Sequence, residues 1–162
     1  MWSGRAPPPL DGHNPRVDVH LPCPPLAEWL PRRLEGMRVG AWIPARAPRR
    51  ARETLARWPS VDDGGVSELD ALIFAVALDR PEPPEACLRQ LGSGATIVEL
   101  AVPPLRPLRA LLGIDRRPLQ RANAAQSRVL QWLSRGYHAL EQWESVEPAG
   151  IIVTLGRQRP VQ

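Results

Sequence analysis

Apolar and polar positions divide this chain into short blocks. The most continuous apolar block is Ala71 to Leu78, ALIFAVAL, bounded by Asp70 and Asp79. A run that short, rich in Ile, Val and Phe, suits a strand buried on both faces. A buried helical segment is the rival; the length of the run and its stop at Arg80-Pro81 favour the strand. Pro81, Pro83 and Pro84 then forbid further ladder pairing. Pro84 suits the first turn of a helix, and Glu85 suits the positive end of its dipole. Ala86, Cys87, Leu88 and Leu91 supply that helix's inward side, and Gly92-Ser93-Gly94 predicts its end. Thr96 to Leu100, TIVEL, predicts a second strand. Two strands joined through a helix lie parallel with a right-handed crossover, so Asp70 to Leu100 reads as a βαβ unit.

The blocks on either side extend this unit. In Leu26 to Leu34, LAEWLPRRL, residues Leu26, Trp29, Leu30 and Leu34 share one helical face. Pro31 predicts that this helix is short, kinked or restarted, and Gly36 ends it. Met37 to Ile43 reads as a strand stopped by Pro44. Ala47 to Trp58 reads as a helix with Ala51, Leu55 and Trp58 inward. Arg46, Arg49, Arg50, Arg52 and Arg57 crowd its other surface. That pattern predicts a solvated face, or alternatively a surface for an anionic ligand or partner. Asp62-Asp63-Gly64-Gly65 is turn chemistry without EF-hand spacing. The proline-broken stretch after Leu100 predicts an irregular connection. Asn123 to Gly136 reads as a helix with Ala124, Val129, Leu130 and Leu133 inward and Trp132 on a neighbouring edge. Tyr137 to Glu147 and Ile151 to Leu155 read as strands. The Pro148-Ala149-Gly150 turn between them requires an antiparallel hairpin. The predicted fold class is α/β: a Rossmann-like, mostly parallel sheet of about five strands, a C-terminal antiparallel hairpin, and helices on both faces. Residues 1–25 are a Pro-rich flexible arm, 26–157 a single domain, and 158–162 a polar tail.

Composition narrows the function classes. The chain has 162 residues, a net charge of +4, and 21 basic residues that are all arginine. Abundant Ala, Pro, Gly and Arg with no Lys is the signature of GC-rich coding in a bacterium, so the charge argues little for nucleic acid. Residues 61–100 hold eight acids and two arginines while the flanks are basic, and no basic stripe is interleaved with aromatics. No apolar stretch of about 18 residues predicts a membrane span. The opening MWSGRAPPPLDG lacks the regions of a secretory signal, which predicts a cytoplasmic protein. Cys23 and Cys87 make no metal or redox pattern; Cys87 reads as a small apolar filler. His13 and His20 lie in the arm and His138 at the start of a strand, where a partly buried structural histidine is the ordinary reading. Asp62/Asp63 and Glu141/Glu144 read as solvated acids. Trp2, Trp29, Trp42, Trp58, Trp132 and Trp143 read as gap-fillers between helices and sheet.

The order of these elements resembles the second half of class I S-adenosylmethionine-dependent methyltransferases. LDALIFAVALDRPEPPEACLRQLGSGATIVEL is similar to that family's fourth strand, following helix and fifth strand. RVLQWLSRGYHALEQWESVEPAGIIVTLGR is similar to its last helix and closing hairpin, and LAEWLPRRLEGMRVGAWI to the helix and first strand that open it. The resemblance implies an S-adenosylmethionine site built from a Gly-rich loop after the first strand and an acid at the end of the second. Here the loop reads Ile43-Pro44-Ala45-Arg46-Ala47-Pro48, with no glycine and two prolines. Only 26 residues separate Ile43 from Asp70, which implies that the second and third strands are deleted along with their acidic ligands. The Asn/Asp-Pro-Pro-aromatic motif of amino-group methylation is replaced by Asp79-Arg80-Pro81-Glu82-Pro83-Pro84.

These residues predict a methyltransferase-like domain that has lost S-adenosylmethionine binding and serves as a binding or regulatory module. A protein partner or second copy is expected at the sheet edge uncovered by the missing strands. No catalytic or metal-binding residue is assigned, and no cofactor is expected. Two alternatives stay open: an active small-molecule methyltransferase with an atypical or partner-completed site, and a basic nucleic-acid-associated protein. No Gly-x-Ser-x-Gly elbow or phosphate loop is present in the sequence.

Overall fold

A computed structural model describes residues 16–17, 25–61, 68–78, 82–103 and 117–160. The expectations for Trp2, Pro7 to Pro9, His13, His20, Cys23, Asp62 to Gly65 and Asp79 to Pro81 lie outside these residues. In chain order the elements are β1 (Arg16–Val17), α1 (Leu26–Arg33), β2 (Val39–Trp42), α2 (Arg49–Leu55), β3 (Leu69–Ala77), α3 (Glu85–Leu88), β4 (Leu91–Val102), α4 (Arg117–Ser134), β5 (Tyr137–Val146) and β6 (Ala149–Gln158). The fold is α/β, with one mixed open sheet. Five substantial strands run in the order β5-β6-β4-β3-β2, and the two-residue β1 adds to the β5 side. β2, β3 and β4 are parallel. β6 enters antiparallel between β4 and β5, as the short Pro148 turn requires.

Both faces of the sheet are covered, which is why β3 is apolar from Ala71 to Ala77 rather than alternating. Ala71, Ile73 and Ala75 join Leu26 and Leu30 of α1 and Ala51 and Leu55 of α2 in one cluster. Leu72, Phe74 and Val76 join Cys87 of α3 and Val129 and Trp132 of α4 in the other. Cys87 is buried as an apolar filler. Trp132 is fully buried, and Trp29 meets Trp143 edge-on with centroids 4.7 Å apart, both packed on the first cluster. Among the described residues no helix is long and apolar enough to cross a membrane.

Four expectations change. First, Gly92-Ser93-Gly94 does not end a helix; α3 stops at Leu88 and the glycines lie inside β4. Leu91 pairs with Leu69 and Thr96 with Ala71, so residues 92–95 stand opposite Asp70 alone. The left-handed Gly94 (φ 75°) serves this bulge, not a helix cap. Second, α4 begins at Arg117, earlier than Asn123, with Pro118 in its first turn. Its inward stripe is Ala125, Arg128, Val129 and Trp132, while Leu130 is 58% exposed. Third, α2 spans only Arg49–Leu55; the arginines on and beside it are exposed, as a solvated face requires, and most also make local contacts. Arg52 and Arg50 donate to backbone carbonyls, Arg49 pairs with Glu53, and Arg57 donates to Ala27 O. Fourth, the β2 edge is not open. Ala41 N donates to Pro59 O (2.8 Å) and Val61 N donates to Ala41 O (2.8 Å), giving a parallel bridge between Ala41 and Ser60. The expected arm also contributes β1, and Glu141 is not merely solvated, since Arg33 holds both of its carboxylate oxygens at 2.9 Å.

Candidate functional site

Open α/β sheets place ligands outside the carboxyl ends of their parallel strands. At the end of β2 the chain runs through Ile43-Pro44-Ala45-Arg46-Ala47-Pro48 into α2. Pro44 and Pro48 fix two backbone angles, and Ala47 is buried. Arg52, one turn into α2, reaches back over this loop. Its Nε donates to Ala47 O at 2.9 Å, and a terminal nitrogen donates to Ala45 O. Ala47 N in turn donates to Pro44 O at 2.9 Å. The loop is thus closed on itself by a side chain of its own helix. Pro44 and Pro48 have no N–H to offer a ligand, and the Ala45 and Ala47 carbonyls are taken by Arg52.

A second concentration of polar groups lies under α4. Phe74, Glu99, Thr154 and Gln142 occupy one register row across β3, β4, β6 and β5. Glu99 is 0% and Arg128 2% exposed. Arg128 Nε donates to Glu99 Oε1 at 2.8 Å, and a terminal nitrogen donates to Oε2. Trp132 Nε1 also donates to Oε2, at 3.1 Å, and Arg128 donates to Gln131 Oε1. Gln142 Nε2 donates to Ala125 O (2.9 Å) and Thr154 Oγ1 (3.1 Å). The bidentate Arg–carboxylate pair and the added indole N–H satisfy a carboxylate removed from water. A carboxylate so engaged, with no opening to substrate, anchors α4 rather than acting as a base. Trp132 is further boxed by Phe74 (5.8 Å), Tyr137 (5.1 Å) and the Arg135 guanidinium (5.4 Å). Burial raises the Tyr137 hydroxyl above its ordinary pKa.

The third place is a cleft of about 120 Å³ at the amino ends of β3 and β4, on the α1/α2 side. The bulge at Gly92, Ser93 and Gly94 forms one wall, with Thr96 and Arg157 beside it and Asp70 opposite. Met37 and Leu69 give it apolar surface. The Asp70 carboxylate accepts from Arg38 N (2.8 Å) and Arg38 Nε (3.2 Å). Those bonds, the backbone one foremost, hold its pKa below the usual carboxylate range. Arg157 is exposed, and its side chain has no hydrogen bond or ion pair with another described residue. It pairs in register with Thr96 on one side and His138 on the other. His138 is half-buried, as a structural histidine should be, but its Nδ1 is buried with no partner among the described residues.

The structure therefore leaves the sequence-level candidates apart. His138, Cys87 and the α2 arginines do not converge, and no group of three or more His, Cys, Asp or Glu among the described residues could hold a metal. Sequence reasoning missed Glu99 and Arg128. The available signal was an acid inside the apolar TIVEL run, with an arginine in phase with Ala125, Val129 and Trp132. Comparison with protein-family models, curated proteins and solved structures finds no match to this chain.

Proposed function

We propose that this chain is a shortened, Rossmann-like methyltransferase-type domain that does not bind S-adenosylmethionine and works as a binding or regulatory module. The observation that carries this reading is the loop after β2, which lacks glycine and is fastened by Arg52 to Ala45 O and Ala47 O. The order of parallel strands, last helix and closing antiparallel hairpin supports the ancestry. Calorimetric titration of the whole chain with S-adenosylmethionine tests it. No saturable heat is expected up to millimolar ligand; saturation in the micromolar range overturns the reading.

One observation favours the active alternative. The Ser60 bridge runs parallel to β2 directly after α2, where a second strand of a βαβ repeat would fall. Asp62 and Asp63 follow it in sequence, as the resemblance asks of a ribose-binding acid. On this second reading, Pro59–Val61 would be what remains of the second strand. If the titration does show binding, its loss in Asp62→Asn/Asp63→Asn identifies this site as the reason. A partner or second copy pairing at the β2 edge would have to displace Pro59–Val61, so the module reading places its partner elsewhere on the surface.

A further inference from the structure

We propose that the cleft beneath the β4 bulge binds a small oxyanion of the phosphate class. It lies at the opposite end of the parallel strands from the loop discussed above, so this inference stands or falls independently of the cofactor question. Three features of the cleft converge on an anion. Arg157 brings a guanidinium with no partner among the described residues, on a β6 position that the hairpin and β4 hold rigidly. The nearby acid does not cancel it, because Asp70 is already bonded to the Arg38 guanidinium and amide. Arg38 is shared between Asp70 and the nearby Glu68, so Arg157 is the cation at the cleft without a carboxylate of its own among the described residues. The bulge supplies backbone: four residues face one, which disrupts the regular ladder, and the left-handed Gly94 provides one of the two conformations that an anion-binding nest combines. The hydroxyl-bearing Ser93 and Thr96 also line the space.

Size selects the ligand class. A cleft of about 120 Å³ has room for more than a single ordered water. It falls well below the ~300–1,000 Å³ of sites for nucleoside-sized ligands. A guanidinium fork matches two phosphate oxygens at once.

The test is a titration of the isotopically labelled full chain with inorganic phosphate at constant ionic strength, following backbone amide resonances. Saturable shifts centred on Gly92, Ser93, Gly94 and Thr96 are expected. Acetate at equal concentration should give at least tenfold weaker binding. Arg157→Gln should weaken phosphate at least tenfold, about 1.4 kcal/mol. Arg157→Lys should retain part of the affinity, and the distant, exposed Arg49→Gln should change nothing. Arg157→Gln should melt at the wild-type temperature without phosphate, since the side chain is exposed. Shifts that do not saturate, that acetate reproduces, or that survive in Arg157→Gln overturn the proposal.

Discussion

At the scale of single residues, the decisive pair is Glu99 and Arg128. Neither is exposed, and each is the other's only opposite charge in the described hydrogen-bond network under α4. A buried pair of this kind gains little over a well-packed apolar pair, but losing one member strands the other charge. Arg128→Ala should therefore cost about 3–5 kcal/mol in urea denaturation. Replacing both, as Glu99→Leu/Arg128→Met, should recover part of that loss. It should stay roughly 1–3 kcal/mol below wild type, because Trp132 Nε1 loses its acceptor. An Arg128→Ala loss under ~1 kcal/mol would mean that the pair behaves like a surface contact. Tyr137 offers a pH test. Burial favours its neutral hydroxyl, so the folded-state pKa lies above the unfolded one, near 10. Its contribution is fully present below pH ~10 and is lost as pH rises toward the folded value. Urea midpoints measured from pH 9 to 11 should fall more steeply for wild type than for Tyr137→Phe.

At the scale of elements, α1 shows how a sequence defect is repaired by a distant side chain. Pro31 lies inside the helix and has no N–H for Ala27 O, four residues earlier. Arg57, just beyond α2, donates to that carbonyl instead. The two helices are thus stapled where the proline would otherwise leave an acceptor unmet. Arg57→Met should cost about 1 kcal/mol in the wild-type background and markedly less in Pro31→Ala, where the new amide can close the helical turn. A double-mutant cycle measures that coupling, and additive losses would show that the staple is incidental. The same kind of remote partner explains what the sequence left illegible. β3, β4 and the hairpin were readable because continuous apolar runs and a short proline turn have local causes. The role of Arg57 was not, since a partner 30 residues away has no local signature. Hydropathy alone puts Leu130 inward and gives Arg128 no role; Glu99 turns Arg128 in, and Leu130 is left exposed. Gly92-Ser93-Gly94 was read as a cap because glycine permits left-handed backbone in caps and bulges alike, and only the pairing of Leu91 with Leu69 separates them. The cleft was illegible for the same reason, because Arg157 meets the bulge only once β6 lies beside β4.

At the scale of the whole molecule, the β2 edge of the sheet is covered by the chain's own Pro59–Val61 segment. β2 is short, and its outer side carries Ala41, whose N–H and C=O are both taken by Pro59–Val61. A covered edge is one way in which proteins avoid pairing with further chains. The cover depends on Gly40. A Cβ there would overlap Val61 Cγ2 and stand 2.8 Å from Leu69 Cδ1, so only glycine lets the segment seat against β2. Gly40→Ala should push Pro59–Val61 away and expose the two Ala41 hydrogen-bonding groups. The expected result is concentration-dependent association in light scattering, against a wild-type protein that remains monomeric at the same concentrations. Adding Val61→Ala removes the larger overlap and keeps the Val61 amide that bonds Ala41 O, so the double variant should return toward the monomer. Association in both variants alike would trace the effect to Leu69 and the start of β3. A wild type that already dimerises would show that a partner copy, rather than Pro59–Val61, closes this side of the sheet.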